Sequence, residues 1–263
     1  MLKGKQIVPQ KVIDRIKEAE KPLVSVIIPT LPHRIKELER AIRSVQNQTY
    51  KKIEIIIERG GKNVQDARNI AVLKSKGKYI AFLDDDDEFY PTKIEKQVRV
   101  MEGNDEVGLC ICWGDDYKFG LYHMIKPKEW WNFKELIGGF NISCTSAFLV
   151  RRSTYDAVNG MDTTLDDSHE YDLAIKLSCV SKVYCIQESL VRFNQSLDNW
   201  SDDFGKKIRG MFQFVNKWGF AFDIRRWRNT VICFGLFAIG LIWGKPIHKI
   251  FNMIKEAQEN EQV

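Results

Sequence analysis

The sequence lacks several features that would place it in a specialised class of protein. It has only six cysteines in 263 residues and no CxxC pair, so neither a disulfide framework nor a zinc site of paired thiolates is indicated. Basic residues outnumber acidic ones by only 40 to 35, which does not predict a nucleic-acid-binding surface. Internal repeats and low-complexity tracts are missing too. We therefore expect a globular protein with reduced, buried thiols and no nucleic-acid partner.

The N-terminal region has no apolar run of the length that a secretory signal requires. It begins MLKGKQIVPQ and stays charged and weakly periodic up to Lys21, where the following Pro22 disfavours a helix. We interpret residues 1–21 as a leader and expect the protein to be cytoplasmic.

Long uncharged runs are also scarce, and the most prominent is the 16-residue NTVICFGLFAIGLIWG at 229–244. As a helix it would span roughly 24 Å, less than a hydrocarbon core of about 30 Å. Arg225, Arg226 and Arg228 precede the run, and Lys245 follows it. This pattern predicts that residues 223–263 form helices lying in the membrane interface, on the cytoplasmic face. A transmembrane span and packing against the rest of the protein are the alternatives.

Between these ends, short β-branched runs alternate with segments of helical periodicity. LVSVIIP, KIEIIIE, KYIAFLD and VGLCICW are predicted as strands buried on both faces. Helices are predicted over His33–Gln48, over Asp66–Lys76 with Asp66 as N-cap and Gly77 just beyond the end, and from Pro91 onward. A later strand, SAFLVRR, and a helix starting near His169 follow. The alternation predicts an α/β fold with a doubly wound, mostly parallel sheet and helices on both faces.

Four consecutive aspartates, Asp84–Asp87, directly follow the third predicted strand. Each carboxylate raises the pKa of its neighbours unless a cation or hydrogen bonds compensate. In an extended chain, alternate side chains point the same way, so Asp84 and Asp86 are predicted to converge on one ion. Ligands of open α/β sheets bind at the carboxyl ends of strands, and oxygen ligands favour Mg²⁺ or Mn²⁺. The alternative is a solvated acidic loop that caps the next helix.

Five stretches carry a family resemblance: VSVIIPT (24–30), ARNIA (67–71), GKYIAFLDDDDEFYPTKIEKQV (77–98), TSAFLVRRSTYDAVNGMD (145–162) and HEYDLAIKL (169–177). Together they resemble the family-two inverting glycosyltransferases. The resemblance implies a GT-A-like domain over 22–222, with a nucleotide-sugar-binding half (22–115) and an acceptor half (116–222). It also implies metal-assisted, inverting transfer of a sugar from a nucleotide diphosphate sugar to the hydroxyl of a glycan or lipid-linked acceptor.

The resemblance further assigns roles to single residues. Those implied to bind the donor are Pro29, Thr30, Glu58, Arg68, Asp84, Asp85 and Arg192. Those implied to hold the Mn²⁺ or Mg²⁺ ion are Asp84, Asp86, Asp87 and Asn194. Glu58 stands where relatives usually carry an aspartate that contacts the base or ribose. Asn194, with Gln195 beside it, falls near the place of a histidine that touches the metal or the pyrophosphate in relatives.

The catalytic base of the family is the second acid of a Glu-Asp pair that opens a helix, and the corresponding segment here is His169-Glu170-Tyr171-Asp172-Leu173. The resemblance therefore implies Glu170 as the base, with His169 in place of the first acid. His169 is the alternative base, because a neutral imidazole is competent to accept a proton. A purely structural interpretation also exists, in which the acids near this helix start favour its positive N-terminal end.

Two other functional classes stay open. A nucleotidyltransferase also binds nucleotide phosphates, but it normally carries a glycine-rich basic loop, and Gly60-Gly61-Lys62 is a weak candidate for one. A binding protein that has lost catalysis is the second, suggested by the altered helix start. Trp113, Trp130 and Trp131 are candidates for stacking on a sugar, with core packing as the alternative.

Overall fold

The computed structural model describes residues 20–118, 121–138, 144–194 and 204–218. The strands described are β1 (Val24–Pro29), β2 (Ile53–Glu58), β3 (Tyr79–Phe82), β4 (Glu88–Phe89), β5 (Val107–Lys118), β6 (Leu121–Ile125), β7 (Trp130–Trp131), β8 (Leu149–Arg151) and β9 (Lys182–Phe193). The α-helices described are α1 (Ile35–Gln46), α2 (Val64–Lys74), α3 (Lys93–Gly103), α4 (Phe133–Gly138), α5 (Arg152–Ala157), α6 (His169–Ser178) and α7 (Phe204–Trp218). None of these helices has the length and apolar character that crossing a bilayer demands. The described residues exclude all but the last two positions of the predicted leader. They also exclude Gln195 and the whole segment 223–263.

All the described strands join one sheet, whose main path runs β2-β1-β3-β8-β5-β9-β4. β1 pairs in parallel with β2 and β3, and β5 pairs in parallel with β9. β8 is antiparallel to both β3 and β5, and β4 is antiparallel to β9. Five of the seven strands on the path therefore share one direction, so the predicted mostly parallel α/β sheet is confirmed. The insertion of β8 between β3 and β5 was not predicted.

The core is deepest along β1, where all six residues are buried. Successive side chains of a strand point to opposite faces, so both faces of the sheet are covered at β1, as predicted. KIEIIIE differs from the prediction of full burial. It forms β2 at the end of the sheet, most of its residues are half-buried, and Ile57 is 38% exposed. An apolar run alone does not distinguish an edge strand from a central one.

The caps of α2 also differ from the prediction. Asn63, rather than Asp66, is the N-cap, and its side chain accepts a hydrogen bond from the Asp66 amide at 2.9 Å. The helix ends before Ser75, so Gly77 does not act as its C-terminal glycine. Gly77 instead lies against β1, where an added Cβ would come within 2.6 Å of the Ser25 nitrogen.

The position of β8 generates a stability prediction. Leu149 of β8 is fully buried between two strands, and Leu73 on α2 is 86% exposed. We expect Leu149→Ala to lower the free energy of unfolding by about 2–5 kcal/mol, because it removes buried methyl groups and leaves a cavity. The same substitution at Leu73 is the control and should change it by less than about 0.5 kcal/mol. Chemical denaturation measures both values, and equal losses would contradict the assignment of β8 to the core.

Candidate active site

The carboxyl ends of β1, β2, β3 and β9 lie at one edge of the sheet. Pro29 at the end of β1 is in register with Glu58 at the end of β2. Asp84–Asp87 follow β3, and Asn194 follows β9. Because β8 runs the other way, the 3-10 turn Thr145–Ala147 that precedes it reaches the same edge. Most of the residues selected from the sequence therefore meet there.

The four aspartates form a turn instead of an extended segment. The Asp87 amide donates to the Asp84 carbonyl at 3.0 Å, which closes a turn over residues 84–87. The extended chain assumed in that prediction is therefore wrong for residues 84–87, and the convergence of Asp84 and Asp86 on one ion stays a prediction. In the turn, each carboxylate has its own set of neighbours.

Asp85 and Asp86 are compensated by the loop that follows β1. Thr30 Oγ1 donates to Asp85 Oδ2 at 2.7 Å, and Arg34 Nη2 donates to Asp86 Oδ2 at 2.8 Å. The same Arg34 nitrogen lies 3.2 Å from Asp85 Oδ1. Burial nevertheless raises the pKa values of both carboxyl groups, as do the charge of Asp86 at Asp85 and the charge of Asp84 at both. The Arg34 guanidinium thus supplies part of the positive charge that a divalent ion was predicted to supply.

Asp87 ties the turn to two other strands. Ser146 Oγ donates to Asp87 Oδ2 at 2.5 Å, and the backbone N–H of Asn194 donates to Asp87 Oδ1 at 3.1 Å. Burial, with the charges of Asp84 and Asp86, raises the pKa of Asp87 well above its usual value. Both carboxylate oxygens are engaged in these contacts. Asp87 could therefore coordinate an ion only by sharing or giving up a hydrogen bond.

Arg68 joins the acidic turn to the start of α6. This side chain projects from α2 and is only 2% exposed. Its Nη2 donates to Asp84 Oδ1, and its Nη1 lies 3.0 Å from His169 Nε2. The same imidazole nitrogen is 3.4 Å from Glu170 Oε2. One guanidinium thus connects an aspartate predicted to bind donor and metal with both candidates for the base.

The contact with Arg68 determines the tautomer of His169. A guanidinium only donates hydrogen bonds, so Nε2 of a neutral imidazole must accept here and the ring proton lies on Nδ1. Nδ1 is buried and has no hydrogen-bond partner among the described residues. Burial lowers the pKa of His169, and the nearby Glu170 opposes this only in part. A neutral ring whose one lone pair already accepts from Arg68 is poorly placed to take a substrate proton.

Glu58 closes the turn that follows β2. Its Oε1 accepts from the amides of Arg59 at 3.1 Å and Gly60 at 2.9 Å, and its Oε2 accepts from Lys74 Nζ. The hydrogen bond from Lys74 is the main reason that the pKa of Glu58 is lowered. Contact with a base or ribose would therefore require an oxygen that is already in use.

Asn194 and Arg192 also lie at the carboxyl edge. Asn194 Nδ2 donates to the Asp86 carbonyl and to Glu88 Oε1, both at 3.0 Å. This orientation leaves the amide oxygen as its remaining potential ligand atom. Arg192 is exposed, and its backbone is in register with Glu88 of β4 and Asp115 of β5.

The tryptophans are not grouped around the acidic turn. Trp130 and Trp131 form β7, which pairs with Tyr184 and Val183 near the start of β9. Eight residues of strand, about 26 Å, separate Tyr184 from Arg192. Trp113 donates from Nε1 to the Pro127 carbonyl at 2.9 Å, and it packs against the core. Trp113 and Trp131 thus pack against the core, whereas Trp130 is 43% exposed.

Across the ranges that the structure describes, no group of three or more His, Cys, Asp or Glu side chains is arranged to hold a metal ion. An ion at the acidic turn would therefore draw on fewer acidic side chains, with an amide, water and substrate phosphates as further ligands. Mg²⁺ is commonly bound in this way, through one or two carboxylates and substrate phosphates.

Arg34 and Ser146 contact the acidic turn but were not predicted from the sequence. Arg34 had a usable signal, since it lies a few residues beyond Thr30 in the loop after a parallel strand. Ser146 had none, because it lies 59 residues from Asp87 along the chain and reaches it only through the antiparallel placement of β8.

Comparison with known proteins agrees with the sequence resemblance. The family described as "Glycosyl transferase family 2" matches this chain over residues 57–154. An uncharacterized glycosyltransferase of Rickettsia prowazekii is 28% identical over an aligned length of 204 residues, and the match covers 65% of this chain and 63% of that protein. The chain thus spans less than two thirds of that relative's length. An Escherichia coli protein, UDP-Glc:alpha-D-GlcNAc-diphosphoundecaprenol beta-1,3-glucosyltransferase, is 27% identical over an aligned length of 186 residues, and the match covers 61% of this chain and 71% of that protein.

Solved structures with the same fold share little sequence with this chain. TarS of S. aureus, residues 1–349 with UDP-GlcNAc, matches with a TM-score of 0.58 at 11% identity, over 69% of this chain and 61% of that one. A mannosyltransferase of Pyrobaculum calidifontis with GDP-Man and Mn²⁺ matches with a TM-score of 0.57 at 12% identity, over 76% of this chain and 66% of that one. Residues 57–154 of this chain thus match the glycosyl transferase family 2, and the described residues have the GT-A fold of these solved structures.

Proposed function

We propose that this protein transfers a sugar, with inversion, from a nucleotide diphosphate sugar to an acceptor hydroxyl with the help of a divalent cation. The observation that carries the proposal is the continuous set of contacts Asp84–Arg68–His169–Glu170 at the carboxyl edge of the sheet. It connects an acidic turn suited to a diphosphate-bound cation with a carboxylate suited to accept the acceptor's proton.

Donor binding is proposed for the first half of the edge. The loop after β1, with Pro29 and Thr30, and the buried Arg68 border the acidic turn in positions where a nucleoside and its phosphates could lie. Asp85 is held in place by Thr30 and is proposed to contact the donor from there. Arg192 has an exposed side chain at the far side of the same edge, and its positive charge is proposed to bind the diphosphate. Glu58 is the least favoured member of the predicted set, because its oxygens already accept protein hydrogen bonds.

The donor atoms at the acidic turn fit a hard divalent cation such as Mn²⁺ or Mg²⁺. They are carboxylate and amide oxygens, and burial together with neighbouring aspartate charges raises the pKa values of Asp85, Asp86 and Asp87 there. Asp84, Asp86 and Asn194 would hold the ion, with Asp87 less available. When bound, such an ion neutralises charge that develops on the departing diphosphate. Among solved structures, the similar mannosyltransferase holds Mn²⁺ together with GDP-Man.

Proton transfer is assigned to Glu170. In an inverting transfer the acceptor oxygen bonds to the anomeric carbon as the carbon–diphosphate bond breaks, and a carboxylate removes the acceptor's proton. Glu170 stands at the first turn of α6 with a 30% exposed side chain, so a substrate can reach it. His169 is proposed to orient Arg68 rather than to act as the base, because its Nε2 lone pair already accepts from that guanidinium.

The acceptor and location are proposed from the relatives and the sequence. The name of the Escherichia coli relative specifies a sugar linked by diphosphate to a lipid. An acceptor of this kind, a glycan or a lipid-linked sugar, is consistent with the basic and apolar composition of residues 223–263. We propose that this segment holds the protein on the cytoplasmic face of the membrane.

The cation proposal predicts metal-dependent binding of a nucleotide diphosphate. Calorimetry with UDP and with GDP should show binding in Mn²⁺ that weakens about tenfold or more in chelator, because a contact with a charged group contributes about 1.5–3 kcal/mol and a tenfold change corresponds to about 1.4 kcal/mol. Asp86→Ala should abolish the difference between the two conditions. Asp105→Ala, at an aspartate that is 95% exposed, is the control and should keep it. Equal affinities of the parent protein in Mn²⁺ and in chelator would contradict the proposal.

The base assignment predicts a specific loss of turnover. Glu170→Gln should bind the donor as the parent does but lower the rate of transfer about 10²–10⁴-fold, the usual contribution of general base catalysis. The measurement is release of the nucleotide diphosphate from a panel of UDP- and GDP-sugars, with a sugar-diphosphate-lipid as acceptor. Glu188→Gln, at a surface glutamate paired with Lys96, is the control. Parent-level turnover by Glu170→Gln would exclude this base, and donor binding without turnover by the parent would indicate a non-catalytic binding protein.

The buried state of His169 predicts a pH dependence of stability. Its pKa is lowered in the folded protein, so the unfolded chain binds more protons as the pH falls below the ordinary histidine value. Stability contributed by neutral His169 should therefore be present above about pH 6.5 and be lost progressively as the pH falls below it, through the lowered folded pKa. Chemical denaturation at pH 7.5 and 5.5 should show a smaller pH effect for His169→Gln than for the parent. The exposed His33 gives the matched control, His33→Gln, which should retain the full pH effect.

A further inference from the structure

Helix α7 contacts α6 through a carboxylate that is fully buried. Asp172 lies two residues after Glu170 and is 0% exposed. Its Oδ1 accepts from Trp218 Nε1 at 2.8 Å and lies 2.8 Å from Lys217 Nζ. Its Oδ2 is buried and has no hydrogen-bond partner among the described residues. A buried carboxylate needs a compensating charge, and Lys217 supplies it from the last turn of α7.

Lys217 also binds the loop that leads into α6. Its Nζ donates to Asp162 Oδ2 at 2.5 Å. Although burial opposes it, hydrogen bonds from Lys217 and Thr164 lower the pKa of Asp162 to about 2. The same ammonium group therefore connects α7, α6 and the loop between α5 and α6. Lys176 on α6 donates to the Gly160 carbonyl of this loop at 2.5 Å, which adds a second tie.

A further set of contacts brings α7 against the residues just before α6. Gly210 approaches this segment so closely that an added Cβ would lie 2.5 Å from the Asp167 nitrogen. The Asp166 amide donates to Gln213 Oε1 at 2.8 Å. Ser168, two residues after Asp166, is the N-cap of α6. Its φ is 61°, a conformation that residues other than glycine adopt rarely. Neighbouring contacts must hold such a backbone in place, and α7 contacts the two residues that precede it, Asp166 and Asp167.

The geometry of a helix couples Asp172 to Glu170. Two residues along an α-helix are about 200° apart around its axis, so these side chains lie on nearly opposite faces of α6. Glu170 lies on the side of His169 and Arg68, whereas Asp172 lies on the side of α7. A rotation or shift of α6 that followed loss of the Asp172 contact would therefore move the Glu170 carboxylate relative to the acidic turn.

We propose that Lys217 is a positioning residue, which orients α6 through Asp172 and thereby sets the Glu170 carboxylate at its distance from the bound donor. The inference rests on the proposed function, because it assumes that Glu170 accepts the proton. Lys217 contacts no reacting atom in this proposal, so it should affect the rate of transfer and not the binding of donor. Catalytic geometry tolerates displacements of only a fraction of an ångström, which makes such an indirect effect measurable.

The test compares Lys217→Met with Lys217→Arg in the full chain. Calorimetry with Mn²⁺ and UDP or GDP gives the affinity and the fraction of binding-competent protein, and release of nucleotide diphosphate from the donor panel gives kcat and KM. We expect Lys217→Met to lower kcat per binding-competent site about 10–100-fold, with donor KM and nucleotide affinity within about twofold of the parent. Lys217→Arg keeps the charge and should recover most of kcat. Lys182→Met, at a surface lysine paired with Glu106, is the control for the substitution itself.

Asp172→Asn covers the case in which Lys217→Met fails to fold. It removes the negative partner of Lys217 at nearly constant size, so it should show the same kcat loss at unchanged donor KM. Parent-level kcat per binding site in both variants would overturn the positioning role. A fall in kcat that only mirrors a lower binding-competent fraction would overturn it as well, since a structural role suffices for that. Failure of the parent protein to turn over any donor would instead overturn the proposed function.

Discussion

The concentration of negative charge at the end of β3 is the constraint on which the site's architecture depends. Four carboxylates occupy one turn, and three of them are nearly buried, so they must be compensated by neighbours brought from distant parts of the chain. The loop after β1 supplies Thr30 and Arg34, α2 supplies Arg68, and the turn before β8 supplies Ser146. Even with these partners, burial and then the charges of neighbouring aspartates raise the pKa values of Asp85, Asp86 and Asp87. A turn of closely spaced, nearly buried carboxylates is suited to binding a cation and, through it, a diphosphate.

The same compensation links binding to catalysis in the proposed mechanism. Arg68 is engaged by Asp84 on one side and by His169 on the other, so the donor-binding edge and the helix with Glu170 share one buried guanidinium. His169 stands where the family resemblance implies an acid. Its neutral ring accepts a hydrogen bond from Arg68 without carrying the negative charge that a carboxylate would have. On the opposite face of α6, Asp172 and Lys217 hold the helix against α7. Glu170 is thus placed by contacts on both sides of its helix.

The fold was largely predictable wherever burial and periodicity agree. β1 and β3 are short, continuous apolar runs between turn residues, and both are buried strands in the structure. The start of α6 at His169 was predicted as well. The order of strands was not, because β8 has only three residues and its antiparallel place depends on pairing with β3 and β5 at once. The choice of Asn63 over Asp66 as N-cap likewise depends on where α2 begins to pack, which local propensity leaves uncertain by a few residues.

The sequence by itself determined that four aspartates end a buried parallel strand, and that Arg68 and Glu170 belong to segments of the family pattern. Covalent order and side-chain chemistry are enough for such inferences, because the carboxyl ends of parallel strands must meet at one edge. Only the tertiary structure decided that the aspartates form a turn, that Arg34 and Ser146 compensate them, and that Lys217 reaches Asp172. These contacts join residues up to 59 positions apart, and buried charges select such partners by distance in space, which no local pattern encodes.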